Sequence, residues 1–303
     1  MSKTILFILT LCSMFARASN WPAQPQNPTD PGSSQYAFES IHETLTIKGR
    51  AVDFFAPKGF QTMNRKLTVV VYGHGQAVPL SSYQDTFVHL ARKGVAVVYP
   101  QFDTGFFDQD WRRMAADYVD LTTEVIKKYP NNLDANQVIF SGHSKGGYVA
   151  GVAAGLPVSK LSTAPAAVIL FDPAGYDAEY LQTIDTRIPV TLTWADRDTI
   201  IKKSLVQEIY NKLPSQKKQL IQVSSYPGAN PELSADHFFV LTKKFSFGGK
   251  DGITPFHYFG SWKWLLGAAW DLDNGSRGTN PFVYGDQTLT TGTATEHQIQ
   301  KNW

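Results

Sequence analysis

The chain has 303 residues, of which 43% are hydrophobic, 13% aromatic and only 18% charged. This composition excludes a disordered chain, a collagen and a coiled coil, and it supplies enough apolar side chains for a large core. Lys and Arg number 28 against 26 Asp and Glu, and without Lys3 and Arg17 of the acid-free N-terminal segment the two signs balance, which argues against a nucleic-acid partner.

The first 18 residues have the pattern of a secretory signal peptide. Lys3 is followed by an apolar run over 4–15 and by Ala16-Arg17-Ala18, a small-x-small signal-peptidase site. About twelve apolar residues are too few to cross roughly 30 Å of hydrocarbon, so no integral membrane anchor is expected. We predict cleavage after Ala18 and a secreted or periplasmic protein. Cys12, the only cysteine, would leave with the signal, so the mature chain would fold without disulfides.

The rest of the chain is predicted to form an extended arm over 19–36 and a single α/β domain over 37–303, which includes a C-terminal extension over 242–303. Buried Val/Ile/Leu strands that alternate with helices predict a mostly parallel, doubly wound sheet with helices on both faces. In chain order the predicted elements are a hairpin over 44–55, a strand over 67–72, a helix over 82–93, a strand over 95–99, a helix over 108–128, a strand over 137–141, a helix over 147–156, and strands over 166–171, 189–194 and 220–223.

The segment that carries chemistry follows the predicted strand over 137–141. Residues 142–147 have the sequence G-H-S-K-G-G, and a helix of small residues begins at once. A serine on such a sharp strand-to-helix turn has strained backbone angles and needs glycine neighbours, and its hydroxyl projects above the carboxyl edge of the sheet. The helix amino terminus favours developing negative charge. We predict that Ser144 is a nucleophile, and the alternative is an ordinary glycine-rich turn.

This motif in its setting resembles the nucleophile elbow of the α/β-hydrolase superfamily, and the resemblance extends over residues 52–241. The elbow is similar to that of chlorophyllase-like and cutinase-like (polyester hydrolase) esterases. The sequence V-Y-G-H-G-Q over 71–76 is similar to the oxyanion strand of those enzymes and of platelet-activating-factor acetylhydrolases. The resemblance implies an α/β-hydrolase fold with an oxyanion hole made by the backbone N–H groups of Gln76 and Lys145. The alternative for His74-Gly75 is a plain strand-terminating turn.

The general base is expected to be a histidine near the end of the domain, because the chain order in this fold is Ser, then acid, then His. His237 lies in a polar loop, S-A-D-H-F-F over 234–239, which is similar to the signature of cutinase-like esterases. The competing residue, His257, is flanked by Phe256 and Tyr258, which favours a packed histidine. We therefore predict that His237 is the base.

Two strand ends offer a triad acid. Asp198 follows the predicted strand over 189–194 and matches the loop that carries the acid in cutinase-like enzymes. Asp172 follows the strand over 166–171 and resembles the position used in chlorophyllase. Chlorophyllase-type enzymes generally lack the later acid, so its presence favours Asp198, and Asp172 is the alternative triad acid. If it is not catalytic, Asp172 is expected to cap a turn.

After His237 the chain continues for 66 residues, more than one closing helix requires. This extension concentrates Trp262, Trp264 and Trp270. Such aromatic side chains are expected either to pack on the sheet as part of a closing helix or, in part, to wall an acyl pocket beside Ser144. The sequence leaves both arrangements open.

These features predict a secreted serine esterase or lipase-like carboxylic ester hydrolase that acts through a Ser-His-Asp triad and an acyl-enzyme. A lipid acyltransferase or a phospholipase would use the same residues, and a non-catalytic ligand-binding member of the fold is the remaining alternative. No metal and no organic cofactor is expected. The expected partner is a small-molecule or lipid ester, and nothing in the sequence indicates an oligomeric state.

Overall fold

The computed structural model describes residues 19, 21–105, 107–156, 164–175, 178–275, 278–280, 283 and 297–302. The predicted signal peptide over 1–18 lies outside them. The helices are α1 (Gln84–Arg92), α2 (Trp111–Lys128), α3 (Lys145–Ala154), α4 (Lys203–Lys212) and α5 (Trp262–Asp273). The strands are β1 (Ser40–Ile47), β2 (Arg50–Pro57), β3 (Leu67–Gly73), β4 (Ala96–Pro100), β5 (Leu133–His143), β6 (Ala167–Phe171), β7 (Val190–Ala195), β8 (Lys218–Val223) and β9 (His297–Asn302).

The described strands form one sheet in the order β1-β2-β4-β3-β5-β6-β7-β8-β9. The six strands from β4 to β8 in this order run parallel to one another. The hairpin β1–β2 is antiparallel to β4 at one edge, and β9 is antiparallel to β8 at the other. The predicted mostly parallel α/β sheet is therefore confirmed. Parallel strands place their carboxyl ends at one edge of the sheet, and this edge carries the loops discussed below.

Both faces of the sheet are covered by helices, as the apolar strand sequences predict. Val69 and Val71 of β3 belong to a core that also contains side chains of α2, α3 and α4. Val70 and Tyr72 of the same strand belong to a second core with side chains of α1 and α5. The alternation follows from the two-residue period of a strand. Within the described part of the chain, no helix is long and apolar enough to span a bilayer.

The helix limits differ from the predicted ones by one to three residues, and the amino termini of α2 and α3 have a clear structural reason. α2 begins at Trp111 rather than at residue 108, because Asp110 caps it by accepting a hydrogen bond from the Arg113 N–H at 3.1 Å. Asp108 instead accepts hydrogen bonds from Thr104 in the preceding loop. α3 begins at Lys145, directly after the predicted nucleophile, rather than at residue 147. The helix α4 and the strand β9 are not among the predicted elements.

Residues 21–36, which the sequence predicts to be an extended arm, contact the rest of the fold through hydrogen bonds to proline carbonyls. The Trp21 indole N–H donates to the Pro231 carbonyl at 2.6 Å. The Tyr258 hydroxyl donates to the Pro22 carbonyl at 2.6 Å, and His89 Nε2 donates to the Pro31 carbonyl at 2.8 Å. These contacts hold the arm against α1 and against the segment that precedes α5.

The tryptophans of α5 pack inside the domain. Trp262 stacks on the His89 ring with centroids 3.9 Å apart, and its indole N–H donates to Thr86 Oγ1 at 2.8 Å. Trp264 is fully buried and stacks beside Phe171 at the end of β6. Trp270 is half-buried. The segment therefore forms a closing helix that packs on α1 and on the sheet.

We expect Trp264→Ala to destabilise the protein by about 3–5 kcal/mol, because it empties a large volume in a close-packed core. Trp270→Ala is the matched control on the same helix and should cost about 1 kcal/mol or less, since its side chain is already partly in water. Urea unfolding followed by tryptophan fluorescence and circular dichroism would measure both. Equal losses for the two variants would contradict this packing.

Candidate active site

The predicted elbow lies at the carboxyl edge of the sheet. β3 and β5 pair so that Gly73 lies beside Gly142, which brings the predicted oxyanion strand next to the elbow. Ser144 follows β5 with φ 56° and ψ −124°, the strained conformation expected of an elbow serine. A Cβ atom on Gly146 would collide with the backbone of Gly73. Glycine is therefore required for the close approach of these two segments.

His237 lies between Ser144 and Asp198. Its Nε2 atom is 2.9 Å from Ser144 Oγ, and its Nδ1 atom is 2.7 Å from Asp198 Oδ2. The His237 and Asp198 side chains are almost completely buried. Because a carboxylate only accepts hydrogen bonds, Nδ1 carries the proton and Nε2 is left to accept the Ser144 proton. The three side chains predicted from the sequence are thus brought into one hydrogen-bonded series.

Asp198 is held by backbone groups as well as by the histidine. Its Oδ1 atom accepts hydrogen bonds from the N–H groups of Ile200 and Ile201, both at 2.7 Å. Burial by itself would raise the pKa of Asp198. The hydrogen bond and charge of His237, together with the two N–H donors, outweigh that effect and lower the pKa. Asp198 is therefore a carboxylate.

Asp172 lies close to the same group but has no hydrogen bond to His237. It follows β6 with a positive φ of 42° and is completely buried. Thr193 Oγ1 donates to its Oδ1 atom at 3.0 Å, and the Ala195 N–H donates to its Oδ2 atom at 3.3 Å. Atoms of Asp172, Asp198 and His237 lie within 4.8 Å of one another. The two candidate acids of the sequence are therefore neighbours.

That spacing is also one at which three side chains can ligate a metal ion, but the donor set fits poorly. A histidine ligand must offer a lone pair to the metal. Nδ1 of His237 carries a proton directed at Asp198, and Nε2 faces Ser144. The arrangement suits proton transfer between the serine and the histidine.

The predicted oxyanion donors border the same cleft as Ser144. Lys145 is the first residue of α3, so its N–H has no acceptor within the helix. His74 Nδ1 donates to the Gly75 carbonyl at 3.0 Å, which orients the peptide unit whose N–H belongs to Gln76. The Lys145 side chain, which the sequence left unassigned, is buried and forms an ion pair with Asp103 at 3.1 Å.

Sequence reasoning missed a second series of hydrogen bonds, which links the oxyanion strand to the histidine loop. His143 Nε2 lies 2.7 Å from the His237 carbonyl, and His143 Nδ1 lies 2.8 Å from the Tyr83 hydroxyl. That hydroxyl also accepts from the Gly75 N–H at 3.0 Å. Since a carbonyl only accepts, Nε2 of His143 carries the proton and Tyr83 donates to Nδ1.

Burial, together with the nearby His237, lowers the pKa of His143 to about 3, so the ring is neutral as this pattern requires. We call the series Gly75–Tyr83–His143–His237 the buried relay. It connects three segments that the chain order keeps far apart.

The cleft in front of Ser144 has a volume of about 420 Å³ and a mixed lining, which includes the charged residues Asp108, Lys202 and Glu208. Apolar side chains at the cleft include Phe107 and Ile200, which are 86% and 54% exposed, and the less exposed Trp111 and Leu205. None of the α5 tryptophans lines it, so the suggestion that the extension walls the pocket finds no support among the described residues.

His257, the competing histidine, is buried away from Ser144. Its Nε2 atom donates to the Leu241 carbonyl at 3.1 Å, and its Nδ1 atom accepts from the Thr254 N–H at 2.9 Å. Burial lowers the pKa of His257 to about 4. Both ring nitrogens are therefore engaged in holding the segment before α5.

Comparison with protein families identifies the family of the chain. Residues 44–198, just over half of the chain, match the chlorophyllase family model. The matched segment contains Ser144, Asp172 and Asp198, whereas His237 lies beyond it. No curated protein matches the chain. The chain belongs to the chlorophyllase family, a family of ester hydrolases with the α/β-hydrolase fold.

Proposed function

We propose that the protein is a serine carboxylic ester hydrolase in which Ser144 is the nucleophile, His237 the general base and Asp198 the triad acid. The observation that carries this proposal is the series of hydrogen bonds from Ser144 Oγ through His237 to Asp198, at 2.9 and 2.7 Å. It opens onto a cleft large enough for an ester substrate.

In the proposed reaction, Ser144 Oγ attacks the ester carbonyl while its proton moves to His237 Nε2. Asp198 accepts from Nδ1 throughout and stabilises the imidazolium. The N–H groups of Gln76 and Lys145 donate to the oxyanion of the tetrahedral intermediate. His237 then protonates the leaving alcohol. Water attacks the acyl-enzyme while His237 takes its proton, and His237 returns that proton to Ser144 Oγ as the carboxylic acid leaves.

Two exposed apolar side chains at the cleft support an ester with an uncharged, apolar acyl group as the substrate. Phe107 and Ile200 offer exposed apolar surface beside the nucleophile, and burial of that surface on an acyl chain would be favourable. This preference supports a lipase-like esterase. A series of p-nitrophenyl esters of increasing chain length should therefore show kcat/KM rising from acetate to longer acyl chains.

A fluorophosphonate probe tests the proposed function directly, because it reacts with an activated serine and not with a passive one. We expect stoichiometric labelling, with mass spectrometry locating the label on Ser144. Absence of labelling in folded protein would favour the non-catalytic alternative. Comparison of free acid with transesterified product, in the presence of an added alcohol, separates a hydrolase from an acyltransferase.

We also propose that residues 1–18 direct export, on the basis of their signal-peptide pattern. Expression in a secretion-competent host should give an exported protein whose N-terminal sequence begins at Ser19. An intact N-terminus on protein retained inside the cell would contradict this proposal.

Tyr83→Phe should lower kcat about tenfold with little change in KM. The variant removes one hydroxyl from the buried relay and leaves the Gly75 N–H without its acceptor, which loosens the strand that carries the Gln76 donor. Complete removal of an oxyanion donor lowers kcat by about 10²–10³-fold, so a loosened donor should cost less. Steady-state kinetics would measure the effect.

Tyr99→Phe is the matched control. Tyr99 is equally buried, and its hydroxyl makes only a long hydrogen bond of 3.5 Å to the Val78 carbonyl, outside the buried relay. If both tyrosine variants showed the same kcat, the buried relay would have no part in positioning the oxyanion strand.

A further inference from the structure

Asp172 is a buried carboxyl group that the proposed mechanism does not use. Among the described residues, no Lys or Arg forms an ion pair with it. Its hydrogen-bond donors are two neutral groups, the Thr193 hydroxyl at 3.0 Å and the Ala195 N–H at 3.3 Å. The Asp198 carboxyl lies beside it, with a carboxyl oxygen of each group within 4.8 Å of the other. A carboxylate in this position would be costly.

Two buried carboxyl groups this close together favour a state in which only one of them is ionised, because two carboxylates repel each other and neither can donate a hydrogen bond. The surroundings decide which of them is ionised. Asp198 accepts from His237 Nδ1 and from the N–H groups of Ile200 and Ile201, all at 2.7 Å. Asp172 accepts only two hydrogen bonds, and both are longer, at 3.0 and 3.3 Å.

Burial, followed by the charge of Asp198, raises the pKa of Asp172 well above its usual range. The balance of donors therefore leaves the negative charge on Asp198.

We propose that Asp172 is a positioning residue that stays a neutral carboxylic acid and donates its proton in a hydrogen bond to the Asp198 carboxylate. This inference rests on the proposed function, in which Asp198 orients His237. The Asp172 donor and the backbone N–H donors of Ile200 and Ile201 then hold Asp198 in the orientation in which it meets His237 Nδ1. Both candidate acids of the sequence would thus take part in orienting His237, Asp198 as a carboxylate and Asp172 as a neutral carboxylic acid.

The other titratable groups around this pair are His237, His143 on the elbow and Tyr72 on β3. Burial lowers the pKa of His143 to about 3 and raises the pKa of Tyr72 far above its usual value. Both are therefore neutral at neutral pH, and neither adds a charge beside the carboxyl pair. A pH profile of kcat/KM reports the essential base of the enzyme and responds to a change of charge beside it.

The decisive variant is Asp172→Asn, because an amide has the shape of a carboxylic acid and keeps a donor for Asp198. We expect kcat within about threefold of wild type and an unchanged midpoint of the acid limb of the kcat/KM profile. If Asp172 were ionised, the amide would remove a negative charge near the imidazolium, and the acid limb would move to lower pH. A shifted limb, or a loss of kcat as large as that of Asp198→Asn, overturns the proposal.

Asp172→Ala removes the donor and should lower kcat about tenfold with KM unchanged. Ser141→Ala is its control, since Ser141 is a buried hydroxyl on β5 that donates to the Ile169 carbonyl at 2.7 Å and lies outside the carboxyl pair. Full activity of Asp172→Ala would overturn the positioning role.

The infrared difference spectrum between wild type and Asp172→Asn supplies a readout that does not depend on enzyme activity. Wild-type protein at neutral pH should show the carbonyl stretch of a protonated carboxylic acid, and Asp172→Asn should lack it. An absent band in wild type overturns the proposal even if Asp172→Ala does not fold. Fluorophosphonate labelling of wild type tests the esterase function separately, so a failure of that function is distinguishable from a failure of this inference.

Discussion

Replacing Ser144 with alanine should lower turnover of p-nitrophenyl esters by about 10³-fold or more. The reason is that only Ser144 Oγ can form the acyl-enzyme, whereas the remaining oxyanion donors and substrate contacts give a small residual rate. The fold should persist, because the side chain is small and its backbone strain is set by the elbow. Purified variant protein, with circular dichroism to check folding and fluorophosphonate labelling to check the site, would measure this.

Ser204→Ala is the matched control for this experiment, since Ser204 lines the same cleft and has no proposed role in the chemistry. It should retain turnover and labelling. Undiminished turnover of Ser144→Ala would overturn the assignment of the nucleophile.

Asp198→Asn should lower kcat by about 10³–10⁴. The introduced amide group would donate to His237 Nδ1 and thereby hold the proton on Nε2, where it blocks acceptance of the Ser144 proton. The amide oxygen can still accept from Ile200 and Ile201, so the loss should fall on catalysis more than on stability. Steady-state kinetics beside a thermal unfolding curve would separate the two.

Asp196→Asn is the control for Asp198→Asn. Asp196 lies two residues earlier in the same loop, and its carboxylate accepts hydrogen bonds from Ser225 at 2.6 and 2.9 Å rather than from the histidine. Its substitution should leave kcat nearly unchanged. If Asp198→Asn kept its activity while Asp172→Asn lost it, Asp172 would be the triad acid.

The sequence was most informative where a function depends on local pattern. The apolar strand runs predicted a mostly parallel sheet, which the fold confirms. The glycines around Ser144 predicted a strained elbow, because only glycine tolerates the approach between Gly73 and Gly146. The order of elements along the chain singled out His237, which indeed lies 2.9 Å from Ser144. Its role as the base stays a prediction for the experiments above.

Long-range contacts decided what the local pattern left open. Asp172 and Asp198 follow neighbouring strands, so the sequence brings both to the same edge, and only side-chain direction determines which one meets His237. Tyr83 has no motif of its own, and its contact with His143 joins positions 60 residues apart.

The positions of the α5 tryptophans could be understood only from the side chains that they contact. Helical spacing alone shows which of them share a face, whereas contacts with His89 and Phe171 show that Trp262 and Trp264 pack within the domain. The sequence by itself thus determined the sheet, the elbow and the candidate histidine, because these depend on residue type and spacing. The tertiary structure decided which carboxyl meets the histidine and which side chains hold the site, because those depend on distances between segments remote in the chain.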